Sequence, residues 1–182
     1  IELGERVGVV GGKCLYPTGT IQHAGGYLDA QGAGHHYGYG EEDEGQYEQQ
    51  CEVEFVTGAN FAISRPALSA VGNLDVRYSP AYFEDVDLCL RVWDAGFRVL
   101  YEPKAVVTHK EASLLASQDR EGMHLFHRNR LRLVLTHWPA LRLVEEFVKE
   151  ESCWLRNLKP GGERLVSVMH SIYLFYLLNL ND

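Results

Sequence analysis

Apolar residues along the first part of the chain fall in short, strand-like blocks, and further on they switch to helical spacing. In ERVGVVGGKCLYPTGTIQHAGGYL, Val7–Val10 form an apolar run that predicts a buried strand, and Pro17-Thr18-Gly19 predicts a hairpin turn. Residues 24 to 46 are dense in Gly and Tyr, and a long surface loop is expected there. In CEVEFVTGANFAISR, Val53 and Phe55 alternate with polar neighbours until Gly58, which predicts a strand ending in a tight turn. Pro66–Val71 reads as a short helix stopped by Gly72. Val86, Leu90, Trp93 and Phe97 recur at i, i+4, i+7 and i+11, a helical stripe with Gly96 as its stop. RVLYEP and KAVVTH read as two β-type runs separated by Pro103. From Ser113 onward helices are expected, broken at Pro139 and at KPGGE (159–163). The pattern predicts an α/β part over residues 1–112 and a helical extension over 113–182.

Composition narrows the class. The 182 residues suffice for one sizeable domain, with or without an appendage, and 46% apolar with 23% charged residues excludes wholesale disorder. Lys and Arg number 17 against 25 Asp and Glu, and the net charge of −8 argues against nucleic acid as a partner. Part of that charge is the run Glu41-Glu42-Asp43-Glu44, read as a solvated loop rather than a cation site. The four cysteines are widely spaced with no Cys-x-x-Cys pair, which speaks against a zinc site or disulfide framework and for a reducing, cytoplasmic setting. No signal peptide is visible, and no unbroken apolar run is long enough to span a bilayer.

Several motifs fail on inspection. GVVGGKC is not a phosphate-binding loop, because its first Gly position holds Val7 and the hydroxyl position after Lys13 holds Cys14. GAGHHYGYG misses the dinucleotide fingerprint by one place, no Gly-x-Ser-x-Gly elbow occurs, and His35-His36 reads as an exposed loop pair. Glu84-Asp85-Val86-Asp87 remains, with three readings. Acidic residues in a first helical turn complement the helix dipole, and Asp87 with Arg91 makes an i,i+4 ion pair. A metal chelate is disfavoured, since helical residues two apart lie about 200° apart around the axis. A single carboxylate at a helix start facing a cleft could instead accept a proton from a substrate hydroxyl.

Three blocks in order, VGVVGGKCLYPTGTIQHAGG, FVTGANFAISRPALSAVGNLD and YFEDVDLCLRVWDAGFRVLYEPKAVVTH, resemble the second half of family 2 glycosyltransferases, with FHRNRLRLVLTHWP continuing the likeness. Closest in character are bacterial members that build O-antigen and other cell-surface polysaccharides. The resemblance implies the nucleotide-diphospho-sugar transferase fold called GT-A. It implies that Glu84 and Asp85 are the acidic pair, with Asp85 the general base of an inverting transfer, and that Gly58, Ala59 and Asn60 lie beside donor sugar and acceptor. It implies His109 as a ligand to a divalent metal, manganese or magnesium, on the donor diphosphate. The partners implied are a nucleotide-sugar donor and a saccharide or lipid-linked acceptor.

The chain departs from the family pattern at its beginning. It starts with Ile rather than Met, and the nucleotide-binding half with its metal-binding Asp-x-Asp does not precede residue 1. The expectation is therefore a partial GT-A domain, the acceptor side with its base, dependent on the upstream motif for metal. A non-catalytic carbohydrate-binding or assembly module is the alternative. Within the extension, Arg120, Arg128, Arg130, Arg132 and Arg142 accompany Leu125, Leu131, Val134, Leu135 and Trp138, which predicts a packed helix with a solvated basic side. Contact with the inner membrane surface is the functional alternative for that helix. LVSVMHSIYLFYLLNL is expected to pack on protein, or to bring two copies together as a homo-oligomer.

Overall fold

The computed structural model describes residues 6–110, 120–158 and 162–178. They divide into two compact units, the first made of residues 1–29, 34–80 and 84–111 and the second of 30–33, 81–83 and 112–182. The expected boundary between 112 and 113, and most of KPGGE, lie outside the described residues.

The first unit is built on a five-stranded sheet. Its centre is β1 (Val7–Leu15), which runs parallel to β7 (Arg98–Thr108). On the other side of β1 lie the antiparallel strands β6 (Phe61–Ile63) and β2 (Ile21–His23), at its two ends. β5 (Cys51–Glu52) closes the far edge against β7. Val9, Val99, Leu100 and Tyr101 are buried in this sheet. β1 and β2 form the expected hairpin through Pro17-Thr18-Gly19.

Two helices cover the sheet. α1 (Arg65–Val71) is capped by Ser64, whose hydroxyl accepts the Ala67 N–H, and ends at Gly72 as its sequence predicts. α2 (Glu84–Asp94) ends where Gly96 adopts φ 76°, and the Phe97 N–H then reaches back to the Val92 carbonyl. Its buried face is carried by Val86, Leu88, Cys89 and Val92, whereas Leu90 and Trp93 of the expected stripe are only half-buried. The apolar face is rotated because Gly8 of β1 admits the helix closely: a Cβ there would lie 2.5 Å from Val92 Cγ1.

Three expectations need correction. Residues 24 to 46 are not one structureless loop, because β3 (Gly26–Leu28) and β4 (Gly34–His36) pair as a separate two-stranded sheet. Val53 and Phe55 are buried but lie outside a regular strand, which is confined to Cys51–Glu52. Pro103 does not divide two runs: β7 continues through it, and pairing with β1 jumps from Glu102 opposite Gly12 to Val106 opposite Lys13. A bulge is the one place inside a sheet where a residue without an N–H costs no ladder bond.

The acidic run is exposed as read, but Asp43 within it also reaches a buried cation. Lys13 is 1% exposed, and its ammonium is held by Asp43 at 3.0 Å and by Glu48. Burial disfavours that charge, but the hydrogen bonds to Glu48 and Asp43 outweigh it and hold the lysine above its ordinary range.

The second unit contains α3 (Arg120–His137), a run from α4 (Ala140–Arg142) through a π-helical turn (Leu143–Phe147) into α5 (Val148–Arg156), and α6 (Glu163–Leu178). The break at Pro139 falls between α3 and α4. Leu131, Val134, Trp138, Phe147, Met169 and Ile172 form its core, so α6 packs on protein as expected. No described helix is long and apolar enough to cross a membrane. The expected solvated basic side of α3 is corrected at Arg130, which is 2% exposed and forms a two-pronged pair with Glu151, at 3.0 and 2.6 Å. Within the same unit, Asn129 Nδ2 donates to the carbonyls of Ala81 and Tyr82, at 2.8 and 2.9 Å. Tyr82 and Phe83 both adopt left-handed backbone (φ 74° and 71°), a conformation that side chains of this size rarely occupy.

Candidate active site

The residues singled out around the acidic segment meet at one turn of the first unit. Thr57 to Asn60 form a tight turn closed by the Asn60 N–H to the Thr57 carbonyl at 3.3 Å. Asn60 Nδ2 donates to the Ala105 carbonyl in the β7 bulge at 2.9 Å, and the Asn60 carbonyl accepts the Gly12 N–H at 2.9 Å. Gly12 has no alternative at this point: a Cβ would lie 1.9 Å from the Ala105 oxygen. The bulge at Pro103 and the glycine in β1 thus allow Asn60 to reach the sheet.

Asp85 reaches the same turn from α2. Its Oδ2 accepts the Gly58 N–H at 2.8 Å, and its Oδ1 accepts the Val86 N–H at 2.8 Å. Both oxygens therefore have a backbone donor, and the carboxylate sits in the first turn of the helix, where the dipole favours negative charge. A Cβ on Gly58 would lie 3.6 Å from Asp85 Cβ, an ordinary contact, so packing within the chain does not itself demand glycine there. The Ala59 N–H turns inward to the Thr57 hydroxyl at 3.4 Å.

The other two carboxylates do different things. Asp87 is 2% exposed and pairs with Arg91 at 2.8 Å, as the i,i+4 spacing predicts. Arg91 goes on to hold the carbonyls of Val71 and Asn73. Glu84 is half-buried, with one carboxylate oxygen lacking a hydrogen-bond partner. Burial, and then the charge of Asp85, push its carboxyl above the ordinary range, against the pull of its own backbone N–H.

His109 follows the C-terminal end of β7. Its N–H bonds the Leu15 carbonyl at 2.8 Å and its Nδ1 lies 2.8 Å from Gln22 Oε1. An amide oxygen can only accept, so Nδ1 is the nitrogen that donates to Gln22, and Nε2 is the ring nitrogen that a metal would take. The described residues do not complete a metal site, since no three His, Cys, Asp or Glu among them converge. A cleft of about 360 Å³ opens beside the turn, lined among others by Gly11, Gly12, Asn60, Glu102 and Ala105.

Of the two adjacent histidines, one departs from its sequence reading. His35 is exposed as expected but pairs with Asp29 at 2.8 Å. His36 is half-buried and lies 2.7 Å, Nδ1 to Nδ1, from His23, which is fully buried and bonds the Thr57 N–H. His23, Thr57 and Gln22 were not legible as site residues: β2 is buried along its whole length, and nothing in its local pattern separates packing from function.

The first unit is thus an α/β fold in which an acidic helix start is set against a glycine turn, and comparison with known proteins gives its family. Residues 6–124 match the family described as glycosyltransferase-like family 2, and the chain belongs to that family. It is 34% identical over 150 residues to the uncharacterized protein y4gI of Sinorhizobium fredii, covering 77% of this chain and 16% of that protein. It is 33% identical over 114 residues to the O-antigen biosynthesis protein RfbC of Myxococcus xanthus, covering 59% of this chain and 9% of that one. Among solved structures it resembles GalNAc-T7, solved with UDP, GalNAc and Mn2+, at a TM-score of 0.51 and 17% identity. That match covers 75% of this chain and 27% of the other, and it supports a GT-A-like fold. The chain spans well under a third of each of these proteins.

Proposed function

We propose that this chain carries the acceptor side and the general base of an inverting transfer from a nucleotide-sugar. The observation that supports it is the doubly anchored Asp85 carboxylate, which accepts backbone N–H groups from Gly58 and Val86. In the proposed step Asp85 takes the proton of an acceptor hydroxyl. The freed oxygen forms a bond to the anomeric carbon, and the bond from that carbon to the diphosphate oxygen breaks on the opposite face. The electron pair leaves with the diphosphate, the proton stays on Asp85, and the configuration inverts. Gly58, Ala59 and Asn60 border the reacting sugars, and Glu84 flanks the base.

No step is assigned to a metal. A divalent cation serving the whole protein would take most of its ligands from outside the described residues, with His109 as the candidate imidazole from this chain. The name of the Myxococcus relative, together with the motif blocks, favours a cell-surface polysaccharide or its lipid-linked precursor as acceptor.

The test is Asp85→Asn in the whole protein that contains this chain, assayed for transfer and for donor binding. Loss of transfer by at least about a hundredfold with donor binding retained is expected. Normal transfer would remove Asp85 from the mechanism. Titration of the chain alone with uridine, thymidine and guanosine diphosphate sugars, with and without manganese, tests the donor side. Glycan binding indifferent to metal, Asp85 and His109 would favour the non-catalytic module.

A further inference from the structure

The turn that meets Asp85 is also held by the His23–His36 pair, and the proton positions in that pair follow from the geometry. His23 Nε2 lies 3.3 Å from the Thr57 amide nitrogen. A backbone N–H can only donate, so Nε2 carries a lone pair. Burial, and then the neighbouring His36, push the His23 pKa down to about 3, so the ring is neutral at ordinary pH. Its one proton is therefore on Nδ1, 2.7 Å from His36 Nδ1. Two N–H groups facing each other at that distance would repel, so His23 donates and His36 accepts, which leaves the His36 proton on Nε2.

The amide after Thr57 is that of Gly58, whose N–H donates to Asp85 Oδ2 at 2.8 Å. Two consecutive amides thus serve two anchors, His23 in β2 and Asp85 in α2. Releasing the Thr57 N–H frees rotation about Thr57, and with it the rigid peptide plane that carries the Gly58 N–H. Resting on the reading of Asp85 as base, we infer that His23, locked as its Nδ1–H tautomer between Thr57 and His36, is a positioning residue that sets the Gly58 N–H on the Asp85 carboxylate. His36 belongs to the same relay as the acceptor that fixes the tautomer.

Long-range nitrogen–proton NMR spectra of the full 182-residue chain read the two tautomers directly, and amide exchange reads the Gly58 N–H. The expected wild-type pattern is His23 protonated on Nδ1 and His36 on Nε2. His23→Leu removes the acceptor and speeds Gly58 exchange roughly tenfold, while His23→Gln, whose carbonyl can accept, stays within about threefold of wild type. A His23 protonated on Nε2, unchanged Gly58 exchange in the Leu variant, or equal loss in both variants overturns the inference. If the Leu variant does not fold, the wild-type tautomers and the Gln variant decide.

In transfer assays of the whole protein the Leu variant lowers kcat without changing KM for the donor, and the Gln variant restores it. The NMR readouts do not depend on turnover. An active Asp85→Asn protein would therefore refute the base while leaving the relay measurable, and a wrong tautomer would refute the relay while leaving the base.

Discussion

Replacing Glu151 by Ala should cost the helical unit a large part of its stability. The side chains of Arg130 and Glu151 are 2% and 5% exposed, so both charges are out of water. The carboxylate accepts from Arg130 Nη1 and Nη2 at 3.0 and 2.6 Å, from Tyr173 Oη at 2.6 Å and from Gln31 Nε2 at 3.0 Å. Without it the guanidinium keeps the Gln31 carbonyl and the rings of Phe147 and Trp154, at 5.9 and 5.7 Å, but no counter-charge. Removing one partner of a buried pair costs about 3–5 kcal/mol, against a total stability of roughly 5–15 kcal/mol for a domain. Urea unfolding followed by the fluorescence of Trp138 and Trp154, both in this unit, would measure it.

A loss below about 1 kcal/mol would mean that water reaches the pair and would refute the reasoning. Arg130→Met combined with Glu151→Leu should recover most of the loss, because no unpaired charge remains. The pH dependence has a definite sign. Burial raises the Glu151 carboxyl, but the Arg130 hydrogen bonds and charge, then Tyr173 and Gln31, hold it below its ordinary 4.5. A depressed folded value means the stabilisation is fully present above the unfolded value near 4.5 and is lost as pH falls through the folded one. The wild-type advantage over the Ala variant should therefore be flat from neutral pH down to the unfolded value and shrink below it.

Two further outcomes follow from packing in the first unit. Gly12→Ala places a Cβ 1.9 Å from a backbone oxygen, and a loss of at least about 2–3 kcal/mol is expected in thermal unfolding; a variant as stable as wild type would show that the bulge gives way. Cys51 and Cys153 are exposed, while Cys14 and Cys89 are buried, with thiols pushed by burial up to about 11 and about 12. A thiol reagent should therefore label Cys51 and Cys153 in the native chain and the other two only on unfolding, and rapid native labelling of Cys89 would contradict its place on the buried face of α2.

Much of the site was legible because its signals are local. The first-turn acids of α2, the Asp87–Arg91 spacing, the stop at Gly96 and the short helix from Pro66 to Gly72 each depend on residues within one or two turns. Opposed helix faces separated Asp85 from Asp87 before any coordinates, and the two do part: one reaches the Gly58 turn, the other Arg91. What stayed hidden depends on partners far along the chain. Lys13 finds Asp43, Arg130 finds Glu151, and His23 lies between His36 and Thr57, pairings without periodicity that a linear reading could not supply.

By itself the sequence determined the β1–β2 hairpin, the short helix that ends at Gly72 and the acids that begin α2, since propensity, capping and turn chemistry act over a few residues. Only the tertiary structure decided what those acids meet. The β7 bulge at Pro103, the bare Cα of Gly12 and the buried His23 together bring the Thr57–Asn60 turn to the start of α2. The site forms because close packing of the sheet leaves that turn one position in which its N–H groups are satisfied.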